Sequence, residues 1–384
     1  MTEEARTTRR FLSTSRVLGF VLTVTGCWIV ALNAVDPDES RTIGWCVAAV
    51  GVAALAVPRR LRIGRTNLVV LASMVVAVFA AGEAWLRWTN GLEQQQYYKQ
   101  VIHFVDDPEL KYELQPNRLL ISGGTTTNSL GMIDFPRTIE NPAHALRVAC
   151  LGDSVGGDAQ VFPESVCPVL GKILGEARGS RPTEALNFSV VGYNTLQEAR
   201  SLEIKAAPFS PDVVVVLYVL NDPFPDLAIA SDLPGHLKFE RKVYDAATDL
   251  LSRAPGGFTD PAPRRLFELH QNPRGWGPVV VRGFDRIQAF AQTRRIPVVV
   301  AIFPWFAPHR SEWLDQVYAK VAQEAQRHGF IPVNLSAEAF AGVDVETLLK
   351  PSRDPIHPNA LAHHLAAEAI VKALLKARPE LLTR

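Results

Sequence analysis

Cysteine is scarce in this chain. The 384 residues hold four, Cys27, Cys46, Cys150 and Cys167, too few and too scattered for a disulfide framework or a zinc site. Neither sign of charge dominates. Forty basic side chains face 39 acidic ones, for a net charge of +1, so the basic footprint of a nucleic-acid partner is missing. Metal-ligand clusters and phosphate-cradling glycine loops are missing too, and no cofactor or metal is expected. There is no internal repeat and no low-complexity tract. What the chain does have is apolar material. At 47% apolar and 21% charged residues it can build a core and is not a disordered protein.

Much of that material lies in the first ninety residues, in three uncharged runs: Val17–Val35, Thr42–Val57 and Thr66–Gly82. A membrane-spanning helix needs ~20 apolar residues. The first and third runs meet that length, and the second needs its flanks or a thinned bilayer. No convincing small-residue cleavage site precedes Asp36, so a cleaved signal peptide is the poorer reading. Arg6, Arg9, Arg10 and Arg16 precede the first run, and Arg59, Arg60, Arg62 and Arg65 separate the second from the third. The positive-inside rule places both clusters in the cytoplasm, so the chain after about Arg87 is expected outside. Trp85 and Trp88 stand where an interfacial aromatic belt belongs. The expected organisation is a three-helix membrane anchor over 1–88, a connector over 89–145 and a catalytic domain over 146–384.

From Leu146 short β-branched runs alternate with amphipathic stretches, the pattern of an α/β domain with a parallel sheet. Strands are expected at Arg147–Leu151, Ala185–Val190, Val213–Val219, Pro297–Phe303 and Phe330–Asn334. Helices are expected at Pro163–Leu174, Thr195–Ala206, Val279–Thr293, Ser311–His328 and Asn359–Ala377. The long Pro- and Gly-rich stretch Pro223–Gly277 reads as an insertion, either a lid over a site or a loose loop.

Candidate chemistry gathers at strand ends, where sites form in parallel sheets. Strand one ends in Gly152-Asp153-Ser154, which presents a serine hydroxyl and a backbone N–H. Strand two runs into Gly192, where backbone can approach a ligand. Strand three runs into Asn221-Asp222, and the Asn221 amide can point at an oxyanion. Before the last helix stands Asp354-Pro355-Ile356-His357. That spacing lets Asp354 hold the Nδ1–H of His357 while Nε2 takes a proton from a serine. Asn359 can cap the helix that follows. Taken singly, each block is an ordinary turn or cap. In this order they supply a nucleophile, three oxyanion donors and a base with its orienter. Trp305 and His309 follow strand four near the expected cleft. His363 and His364 read as packing or surface residues. Cys150 falls in strand one and Cys167 on the following helix, and a bond between them is open only outside the cytoplasm.

This order of blocks resembles the SGNH hydrolases, or GDSL lipase/esterase family, from about Leu146 to Leu375. The resemblance implies a flavodoxin-like three-layer α/β/α sandwich. It implies Ser154 as nucleophile, His357 as base and Asp354 as its orienter, with Ser154, Gly192 and Asn221 forming the oxyanion hole. Asp107-Pro108-Glu109-Leu110, Leu114-Gln115-Pro116-Asn117, Asn128-Ser129-Leu130-Gly131-Met132 and the run from Gly192 to Glu198 are similar to membrane-tethered bacterial members. Three departures stand out. Val155-Gly156-Gly157 replaces the usual Thr or Ser followed by Gly, Val219 stands where a Gly precedes Asn221 by two, and Ala362 rather than Gly precedes His363. The first two bear on the width of the site.

The implied protein is a membrane-anchored, extracytoplasmic serine esterase acting through an acyl-serine on acyl esters, such as O-acetyl groups of a surface glycan or lipid. An envelope O-acyltransferase with the same triad is a rival. A non-catalytic envelope binding or scaffold module is another, which has no need for all three triad residues.

Overall fold

The computed structural model describes residues 73, 80, 101–120, 124–141, 143–224, 262–306, 311–351 and 355–383. The chain separates into two units, Met1–Gln95 with Ala230–Thr259, and Gln96–Ile229 with Asp260–Arg384. Every element below belongs to the second.

Two short antiparallel hairpins come first. Strand β1 (Ile102–Phe104) pairs with β2 (Tyr112–Leu114), and β3 (Leu119–Leu120) pairs with β4 (Thr125–Thr126). They lie in the stretch read from sequence as connector. Then follow β5 (Leu146–Gly152), α1 (Val166–Ala177), β6 (Thr183–Asn187), α2 (Thr195–Ser201) and β7 (Val213–Tyr218). After these come α3 (Ala262–Gln271), α4 (Arg282–Arg294), β8 (Val298–Ile302), α5 (Glu312–Arg327), β9 (Ile331–Asn334) and α6 (Ala360–Ala377).

Strands β5 to β9 form one parallel sheet in the order β6-β5-β7-β8-β9. Numbered along the sheet strands alone, this is the 2-1-3-4-5 order of the flavodoxin-like fold. The three central strands, LRVACLG, VVVVLY and VVVAI, are buried at every position. A parallel strand covered on both faces has no polar side to alternate with, so it reads as a continuous apolar run. Successive side chains still point to opposite faces. Val148, Cys150, Val215 and Leu217 pack under α1 and α6. Ala149, Leu151, Val214 and Val216 pack under α2, α4 and α5. Each such Val or Leu contributes roughly 1.5–3 kcal/mol by leaving water. A separate cluster of Val101, Leu110, Tyr112, Leu120 and Ile133 packs on Tyr193 and Ala159.

All five expected strands form, within a few residues of their expected ends. The expected helices form too, with two changes. The helix from Thr195 leaves α geometry after Ser201 and continues as a π turn, Leu202–Ala206. A π turn, Trp276–Val281, likewise leads into α4. Within the expected insertion Pro223–Gly277, residues Ala262–Gln271 are helical rather than loop, and residues 225–261 lie outside the described residues. Cys150 on β5 and Cys167 on α1 form a disulfide with a Cα–Cα distance of 6.2 Å.

Among the described residues, no helix is long and apolar enough to cross a membrane. The three N-terminal runs lie outside those residues, apart from Ser73 and Ala80.

Candidate active site

The carboxyl ends of β5 and β7 and the turn after β6 share one edge of the sheet. At the end of β5, Asp153 is fully buried and Ser154 partly so. The Ser154 Oγ lies 2.8 Å from His357 Nε2, across 203 residues of sequence. It also lies 3.3 Å from Asp153 Oδ2. A hydroxyl has one proton to give, and the shorter contact is to the imidazole. With the proton on Nδ1, the tautomer a general base needs, Nε2 accepts that hydroxyl proton. Asp354, expected to hold that Nδ1–H, lies outside the described residues, as does His309.

Asp153 organises the turn beneath the hydroxyl. Its Oδ1 accepts from the Val155 N–H at 3.0 Å, and its Oδ2 accepts from Asn221 Nδ2 at 3.1 Å. Burial raises the Asp153 carboxyl above its ordinary range, against the Val155 N–H, the Asn221 amide, the His357 ring and the Ser154 hydroxyl, which lower it. Asn221 thus spends one amide hydrogen on Asp153. Its Oδ1 is buried with no hydrogen-bond partner among the described residues.

Gly192 has φ +79°, which its lack of a Cβ permits. The turn around it is pinned from the first hairpin. Tyr112 Oη donates to Val191 O at 2.7 Å, and Tyr193 Oη donates to Tyr112 O at 2.5 Å. The two rings meet edge-on at 5.3 Å. Beyond the turn, Asn194 and Gln197 form a reciprocal capping box that starts α2.

Sequence reasoning missed several residues that hold this site. Asn187, at the end of β6, donates to Gly156 O at 2.9 Å and Ile133 O at 3.1 Å. A Cβ on Gly156 would lie 2.2 Å from Ser189 Oγ. The Ser189 side chain fills that room, so the Val155-Gly156-Gly157 departure opens no cavity at residue 156. Val219 and Ala362, the other departures, are buried core residues. Two more buried acids interact with Asp153. Asp222 Oδ2 accepts from Thr195 Oγ1 at 3.0 Å, while its Oδ1 and both oxygens of Glu198 have no hydrogen-bond partner among the described residues. Burial, and after it the neighbouring acids, push both carboxyls well above the ordinary range. Both acids fall in stretches singled out from the sequence, but their burial is a tertiary property that no local pattern marks.

Several hydrogen bonds fix the segment before α6. Asn359 caps the helix as expected, accepting from Ala362 N at 3.2 Å. Its Nδ2 donates to Thr347 O at 2.8 Å and Leu349 O at 3.1 Å. Phe306 N donates to Pro355 O at 2.9 Å, tying the loop after β8 to the His357 segment. His363 is fully buried and holds no charge, its imidazole pushed down to about 4 chiefly by burial. His364 is at the surface beside Glu368. Trp305 is partly buried against the α2–α5 face. Among the described residues, no group of His, Cys, Asp and Glu is placed to hold a metal ion.

The family model described as GDSL-like lipase/acylhydrolase matches residues 150–365, more than half of the chain. No curated protein matches. Among solved structures, an α/β hydrolase enzyme from the metagenome of Lake Arreo, Spain, is similar at 16% identity over 61% of this chain and 97% of that one, with a TM-score of 0.39. A catalytic mutant of an acetylxylan esterase from Geobacillus stearothermophilus is similar at 14% identity over 59% of this chain and 93% of that one, with a TM-score of 0.38. The extent of the family match decides the assignment: the chain belongs to the GDSL-like lipase/acylhydrolase family and is a serine esterase by class.

Proposed function

We propose that the protein is a membrane-anchored, extracytoplasmic esterase that removes acyl groups from an envelope glycan or lipid through an acyl-serine. One observation carries the chemistry, the 2.8 Å contact between Ser154 Oγ and His357 Nε2. His357 takes the Ser154 proton as Oγ attacks the ester carbonyl, with Asp354 orienting the ring. The Ser154 and Gly192 N–H groups and the second hydrogen of the Asn221 amide receive the developing oxyanion. The protonated His357 gives its proton to the departing alcohol. Water, deprotonated by the same nitrogen, then attacks the acyl-serine and releases the acid.

Location is supported by two independent features. The arginine clusters around the N-terminal apolar runs orient the later residues outward. The Cys150–Cys167 disulfide suits an oxidising compartment. An O-acyl group on a surface glycan or lipid would suit that location.

The test is hydrolysis of a short-chain aryl acetate by the full chain in detergent. Free acid should appear without any added sugar, and Ser154→Ala or His357→Ala should abolish it. Capture of most of the acyl group by added oligosaccharide, with free acid at background, would replace the esterase reading with a transferase.

A further inference from the structure

A second contact joins the two segments that carry Ser154 and His357. Lys350 Nζ pairs with Asp158 Oδ2, and the two side chains are only 11% and 6% exposed. Lys350 also reaches Gln160 Oε1 at 3.2 Å, and Asp158 Oδ1 accepts from the Gln160 N–H at 3.0 Å. Asp158 lies four residues after Ser154, just past a turn closed by Gly157 N donating to Asp153 O at 2.8 Å. Lys350 lies seven residues before His357. It belongs to the same clasp, in which Leu349 bridges Pro358 and Asn359 N donates to Leu348 O at 2.9 Å. The same two segments are thus joined twice, by Ser154–His357 and by Asp158–Lys350.

The pair and the base share a buried neighbour, His363. The fully buried His363 ring feels the charges of Asp158, Lys350 and His357 together. Both of its nitrogens lack a hydrogen-bond partner among the described residues, so it transmits no proton between them. Among the described residues, Ser154 and the buried Asp153 carboxyl also face His357, and Asp354 lies outside them. A buried ion pair is a poor source of stability, because desolvation offsets much of its attraction. What it does supply is a fixed geometry between two chain segments.

We propose that Lys350 and Asp158 are positioning residues: their ion pair fixes the His357 segment against the Ser154 turn and balances the charge beside the base. The proposal rests on reading Ser154 and His357 as nucleophile and base. Losing either partner leaves an unbalanced charge near the imidazole, and losing both removes the tie without leaving a charge.

The experiment compares full-length wild type, Asp158→Asn, Lys350→Met, Asp158→Asn with Lys350→Met, and Lys350→Arg on an aryl acetate across pH. In Asp158→Asn the uncompensated Lys350 cation disfavours protonated His357, so the acid limb of kcat/KM moves to lower pH by about 0.5–1. The double variant returns that limb to the wild-type position, yet its kcat stays roughly 10-fold down at unchanged KM, because alignment is lost. Lys350→Arg keeps most of the kcat. An unmoved acid limb in Asp158→Asn, or a double variant with wild-type kcat, would overturn the proposal. If Lys350→Met does not fold, the Asp158→Asn and Lys350→Arg profiles decide by themselves. A wild type that neither hydrolyses ester nor labels at Ser154 sinks the esterase reading, and the role of the pair with it. An active wild type with indifferent variants sinks the pair alone.

Discussion

Asn221 donates its amide to Asp153 at 3.1 Å, and Asp153 is the residue immediately before Ser154. The proposed oxyanion donor on one strand end is therefore aimed by a carboxylate on the neighbouring strand end. Asn221→Ala should lower kcat on the order of 10²–10³-fold with KM little changed, since the donor acts mainly on the transition state. Asp153→Asn keeps the shape but sets an amide against an amide, and kcat should fall. Because both act through one contact, the two losses should not add. Steady-state kinetics on an aryl acetate read all of these. An unchanged kcat in Asn221→Ala would reduce that residue to a turn cap.

Glu198 makes stability fall as pH rises. Its buried carboxyl sits well above the ordinary range, mainly through burial. Between that range and its folded value the native chain keeps a proton that the unfolded chain has released. The native state then binds more protons than the unfolded one, and unfolding free energy declines with rising pH. The associated stability is complete below the ordinary Glu range and drains away above it. Glu198→Gln should flatten the dependence of Tm on pH above the ordinary Glu range, leaving the remainder to Asp222. An unaltered slope, measured by thermal melting, would show that Glu198 keeps no extra proton.

The disulfide gives a chemical test of location. Cys150 and Cys167 close a loop between β5 and α1 with a sequence separation of 17. Protein from the native compartment should leave both unreactive to a thiol alkylating agent until reduced. Replacing both by Ala should cost about 3 kcal/mol of stability, on a loop-closure view. Full alkylation of the unreduced, denatured protein would remove this support for an oxidising compartment.

Orientation can be read directly. A reporter active only outside the cytoplasm, fused after Arg384, should be active, and a cytoplasm-only reporter fused at Arg62 should also work. A C-terminal fusion that behaves as cytoplasmic would reverse the topology and remove surface glycans as substrates.

The sheet was legible because its central strands are buried on both faces and leave uninterrupted β-branched runs, of which Val213–Tyr218 is the plainest. The four blocks were legible because each is local and sits at a strand end or before a helix. The hairpins β1–β4 were not, since strands of two or three residues carry no measurable alternation. Helix α3 was masked by a Pro- and Gly-rich surrounding and by a proline in its own first turn. The Asp158–Lys350 pair spans 192 residues and the Tyr112–Val191 contact 79. Neither has a local signature, because the chain brings such partners together only by folding.

The most direct measurement is labelling of the intact protein with a fluorophosphonate, which reacts with a serine whose proton a neighbouring base removes. Wild type should take one label, found on the peptide carrying Ser154, and Ser154→Ala should take none. His357→Ala, which keeps the hydroxyl but removes the acceptor 2.8 Å away, should label far more slowly. Wild type that stays unlabelled, or Ser154→Ala that labels as readily as wild type, would contradict a Ser154 nucleophile activated by His357.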